Sequence, residues 1–75
     1  MSLSMRTTEE LVKIVNAGGG LVLEVTRRPT DELAKIAAAA KRSGATVIFR
    51  HVATRKTDDL ARIAAAGKGM VIFES

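Results

Sequence analysis

The segment Thr30–Phe49 reads TDELAKIAAAAKRSGATVIF, and Thr57–Phe73 reads TDDLARIAAAGKGMVIF. Superposing Thr30 on Thr57 places Leu33 on Leu60, Ile36 on Ile63 and Ala37 on Ala64. Once the extra Lys41-Arg42-Ser43 of the earlier segment is skipped, Val47-Ile48-Phe49 falls on Val71-Ile72-Phe73. A disguised copy, TEELVKIVNAGGGLVLEV, begins at Thr8 and keeps Leu11, Ile14 and Val15 in the helical phase. It aligns with the last copy without a gap, which sets Val22-Leu23 on Val71-Ile72. Self-similarity at such a period is the mark of stacked supersecondary units.

Each copy reads helix, glycine, strand. Thr8, Thr30 and Thr57 have the chemistry of an N-cap, since a hydroxyl accepts a hydrogen bond from a free N–H of the first turn. The acidic pairs that follow, Glu9-Glu10, Asp31-Glu32 and Asp58-Asp59, stand where the helix dipole favours negative charge. Thr7 with Glu10 also matches a capping box, which would start the first helix one residue earlier. Leu33, Ile36, Ala37 and Ala40 have the spacing of one helical face. Gly18, Gly44 and Gly67 mark the helix ends. The runs Leu21–Val25, Thr46–Val52 and Met70–Glu74 are short, apolar and bounded by glycine, as strands are.

Helices of about three turns between strands predict parallel pairing, because a crossover needs a dozen or more residues. Right-handed crossovers between strands in sequential order put the helices on one face of the sheet. The expectation is therefore an α/β domain, αβαβαβ, with a three-stranded, mainly parallel sheet covered on one side. The strands are nonetheless apolar on both faces. One set is Val22, Val47, Phe49, Val71 and Phe73; the other is Leu21, Leu23, Ile48, Met70 and Ile72. An uncovered apolar face marks an interaction surface, and edge strands offer unpaired backbone groups. A homodimer that stacks sheets or joins edges would satisfy both; a terminal segment folded over the face is the alternative. The first set is taken as the contact, and the second as facing the helices. With one strand and one helix per unit from Thr8 to Glu74, the chain resembles the short α/β solenoids of the leucine-rich-repeat kind. It departs from their Leu-x-x-Leu-x-Leu-x-x-Asn signature and begins with a helix. The resemblance implies protein–protein binding.

Composition narrows the function classes. Seventy-five residues form one domain, here 5–75, with Met1–Ser4 read as an expression-vector remnant. A chain this small usually needs a staple. There is no Cys and one His, so neither a disulfide nor a thiolate zinc site is expected, which leaves a partner subunit. No apolar run approaches the ~20 residues of a membrane span. The first residues lack an apolar signal core, so a bacterial-type cytoplasm is the expected compartment.

The search for chemistry yields one alternative. Gly18-Gly19-Gly20 closes a helix and precedes a strand, the reverse of a phosphate cradle, and Gly67–Gly69 has the same place in its copy. The net charge is +4. Arg27, Arg28, Arg50, His51, Arg55 and Lys56 occupy the connections from strand ends to helix starts, where open α/β sheets bind ligands. They form a candidate rim for a phosphate, a nucleic-acid backbone or an acidic protein; the bland reading is a solvated loop. Both Phe lie in strands, so no stacking platform for bases is offered. His51 has no nucleophile beside it, and the acidic pairs recur in every copy, which suits capping better than catalysis. No catalytic residue, metal site or cofactor is expected. The sequence reads as a non-catalytic, self-associating interaction module, with anion or nucleic-acid-backbone binding as the alternative.

Overall fold

The structure is a computed structural model and describes residues 5–75; Met1–Ser4, and the reading of them as a remnant, lie outside the described residues. The elements run α1 (Thr8–Asn16), β1 (Leu21–Glu24), α2 (Thr30–Ser43), β2 (Val47–Arg50), α3 (Thr57–Gly67) and β3 (Val71–Glu74). The strands pair in parallel in the order β1-β2-β3, so neighbours in sequence are neighbours in space. The helices form a second layer, with α1 against α2 and α2 against α3. Among the described residues, no helix is long and apolar enough to cross a membrane.

The helix starts differ from one another. Thr7 caps α1: its Oγ1 accepts from the Glu10 N–H at 3.2 Å, and the Thr7 N–H donates to Glu10 Oε1 at 3.0 Å. That N–H is the main cause holding the Glu10 carboxyl below its ordinary value of 4.5. Helices α2 and α3 start instead behind Pro29 and Lys56, neither of which supplies a side-chain cap. Thr8, Thr30 and Thr57 therefore sit one residue inside their helices rather than at the caps. Their hydroxyls are left for another use.

The helix ends also divide. Gly44 closes α2 in the left-handed region, at φ 78°, where glycine avoids the clash of a Cβ. In α3 that role falls to Lys68, at φ 42°, and Gly67 is instead a point of close approach. A Cβ on Gly67 would stand 2.3 Å from Val71 Cγ2 and 3.3 Å from Ala37 Cβ. Gly67→Ala should therefore destabilise the chain by about 1–3 kcal/mol, the usual cost of overpacking. In a Val71→Ala background the added cost should shrink, because the clashing methyl is gone. Thermal unfolding of the four members of this cycle checks it; strict additivity would show that the contact is not tight.

The sheet register corrects the expected interface. Leu21, Val47 and Val71 lie side by side, as do Val22, Ile48 and Ile72, then Leu23, Phe49 and Phe73. The gapless alignment of the first and last copies is thus one residue out, and a one-residue slip turns every side chain to the other face. Val47 and Phe49, expected at the interface, are fully buried beneath the helices with Leu21 and Leu23. Val71 and Phe73 lie on that same face and are half-buried. Of the five residues expected at the contact, only Val22 is on the open face. The core gathers Leu11 and Val15 of α1, Leu33, Ile36, Ala37, Ala39 and Ala40 of α2, Ile63 of α3 and the inner strand residues.

Candidate interaction surfaces

Two surfaces stand out, the uncovered face of the sheet and the rim where strands lead into helices. On the open face Val22 is 48% exposed and Ile72 47%, with Ile48 half-buried between them. Ile48 and Ile72, which the sequence reading set against the helices, belong here. Two residues further along each strand lies a second row across the same face: Glu24, Arg50 and Glu74. Arg50 Nε meets Glu74 Oε1 at 3.2 Å, and His51 Nε2 meets Glu24 Oε1 at 3.1 Å. His51 is an added residue in the β2–α3 connection. Glu24 and Arg50 are sheet neighbours, yet Glu24 precedes Thr30 by six positions and Arg50 precedes Thr57 by seven. The chain absorbs it by turning His51 to φ 65°. The open face thus has an apolar middle and a charged border of alternating sign.

The basic rim is mostly consumed by the fold. Arg28 donates to Thr8 Oγ1 at 3.1 Å and to the Arg6 carbonyl, and its side chain is only 12% exposed. It also lies 3.9 Å from Glu32 Oε1. Arg55 donates to Thr30 Oγ1 at 3.2 Å and to the carbonyls of Val25 and Arg28. Arg50 and His51 face carboxylates, as described. Arg27 and Lys56 are exposed and have no ion pair among the described residues. Of the six residues proposed for an anion, then, four have partners within the chain. Carbonyl, hydroxyl or carboxylate partners within the chain thus already occupy these four side chains.

The two arginine clamps are the same clamp. Arg28 stands two residues before Thr30, and Arg55 two before Thr57. Each reaches back to the preceding unit, onto the hydroxyl of its threonine and the carbonyl of its arginine. This is the use made of Thr8 and Thr30, two of the threonines that do not cap. Sequence reading missed it, although the signal was present: Arg6, Arg28 and Arg55 all hold this position. A second rung joins the helices, where Arg62 Nη2 meets Asp31 Oδ1 at 2.6 Å. Between α1 and α2 the equivalent pair, Glu9 and Lys35, lines an open groove of about 490 Å³ with Thr8, Val12, Ala38 and Arg42. Arg42, from the Lys41-Arg42-Ser43 insertion, crosses to Asn16 Oδ1 at 3.5 Å. The groove's walls carry both signs of charge.

Comparison with protein-family models, with curated proteins and with solved structures gives no match.

Proposed function

We propose that the chain is a non-catalytic, self-associating interaction module. The observation that carries this reading is the uncovered apolar row Val22, Ile48 and Ile72. Half-exposed branched side chains in contiguous strands stabilise little while they face water, and gain when a second surface removes them from it. The resemblance to leucine-rich-repeat solenoids points the same way. The rim arginines support the fold of one copy, so the anion reading draws no comparable support.

Size limits how much the face contributes. Three strands of four residues, at ~4.8 Å between strands and ~3.3 Å per residue, offer roughly 200 Å². A stable dimer needs about 800 Å² from each partner. The face therefore contributes to association without sustaining it alone.

Sedimentation velocity from low micromolar to submillimolar concentration tests the reading. The wild-type chain should associate, and Val22→Glu with Ile72→Glu should weaken that association about tenfold, as two unmatched carboxylates enter the contact. Both sites are surface positions, so stability should move by no more than about 0.5 kcal/mol each. A wild-type chain that stays monomeric throughout would overturn the proposal.

A further inference from the structure

An arginine clamp joins each unit to the next and an ion pair joins α2 to α3; among the described residues, unmatched halves of both stand at the two ends of the stack. Arg28 seats on Thr8 and Arg55 on Thr30, but Thr57 has no hydrogen bond to its hydroxyl among the described residues. At the opposite end Arg6 has no preceding unit among the described residues on which to seat. It is held ready all the same: it meets Glu10 Oε2 at 3.6 Å, as Arg28 meets Glu32 at 3.9 Å. The second rung pairs the acid that follows each threonine with a base in the next helix. Asp31 with Arg62 makes it, and Glu9 faces Lys35 across the groove. Asp58, the acid of α3, and Lys13, the base of α1, are exposed and unpaired among the described residues.

One end of the molecule therefore shows the accepting halves, Thr57 and Asp58, and the other shows the donating halves, Arg6 and Lys13. The sheet repeats the arrangement. β1 and β3 each have a strand on one side only among the described residues, and both run in the same direction. From this we infer that copies of the chain associate head to tail, with β3 of one copy beside β1 of the next. Arg6 and Lys13 of the second copy then engage Thr57 and Asp58 of the first. The join repeats the geometry that already links one unit to the next. The apolar rows run on across it, Val22 of the next copy beside Ile72 and Leu23 beside Phe73. Its one like-charge contact sets Glu74 against Glu24 of the next copy. Arg50 and His51 already hold those two carboxylates.

This inference rests on the self-association proposed above but names a different surface and symmetry. A stacked face would be self-complementary and stop at two copies. A head-to-tail join is heterologous and either closes a ring or keeps growing.

Four proteins test it by sedimentation velocity: the wild type, Arg6→Glu/Lys13→Glu, Thr57→Lys/Asp58→Lys, and an equal mixture of the two variants. The wild type should pass beyond a dimer as concentration rises. Each variant alone should associate at least about tenfold more weakly, because like charges meet at its join. The mixture should recover association, because each variant's reversed end matches the other's. Circular dichroism confirms that each variant is folded. Should the first variant prove unfolded, Lys13→Glu alone replaces it, since Lys13 has no ion pair among the described residues of its own copy. A monomeric wild type overturns the self-association reading and this inference together. A wild type that stops at a dimer, variants that associate as the wild type does, or a mixture that does not recover each overturn the head-to-tail join while leaving self-association standing.

Discussion

Phe49→Ala should cost about 3–5 kcal/mol, measured as the loss of unfolding free energy in urea. Phe49 is fully buried in the central strand, and among the largest buried side chains it is the only aromatic ring. Its ring lies 6.5 Å from that of Phe73, and Leu23 stands beside it on the other side. Removing it leaves a cavity beneath the helix layer that short, mutually braced elements cannot close. A domain of this length has of the order of 4–11 kcal/mol of stability in all, taking ~0.05–0.15 kcal/mol per residue. The variant should therefore lose from about a quarter of that stability to all of it. The same truncation on the open face, Ile48→Ala, serves as the comparison. A small effect at Phe49 would mean that the sheet faces are assigned the wrong way round.

Arg55→Met should be the second most damaging change, at about 2–4 kcal/mol. The side chain satisfies two carbonyls and a hydroxyl between the end of β1 and the start of α2: Val25, Arg28 and Thr30. Methionine keeps much of the stem volume but donates nothing; the Val25 carbonyl still accepts from the Arg28 N–H at 3.0 Å, while the other part-buried acceptors, left unpaired, cost about 1–3 kcal/mol each, less where water reaches them. Arg27→Met and Lys56→Met remove the same charge from the same rim, and each should change stability by less than about 0.5 kcal/mol. Chemical denaturation of the three variants decides between a rim assembled for a ligand and one assembled to join units. Equal, small effects at all three would favour the ligand.

The repeat made the element order, the parallel sheet and the one-sided helix layer legible in the sequence, because helix spacing and glycine-bounded strands are local signals. The register was not local. Thr8 to Leu21 is one residue shorter than Thr57 to Val71, so the natural gapless alignment set Val22 beside Val71. The charged residues offered the missing information: Glu24, Arg50 and Glu74 each lie two positions after Val22, Ile48 and Ile72, and their shared parity marks the solvent side. Reading Arg28 and Arg55 as ligand-binding groups had a similar origin. A basic residue at a strand end looks the same in a sequence whether it awaits an anion or reaches back to a carbonyl, and only the three-dimensional neighbour separates the two.

Among the described residues, helix packs on helix and strand pairs with strand only between adjacent units, and the middle unit alone has a neighbour on both sides. Such a chain opens like a zipper from its tips. The outer turns of α1 and α3 exchange their amide protons first, and β2 with the inner face of α2 is the last part to yield. Among the described residues no strand pairing joins the first unit to the last, so little loop entropy stands in the way of folding, and structure nucleated in the centre can spread outward in both directions.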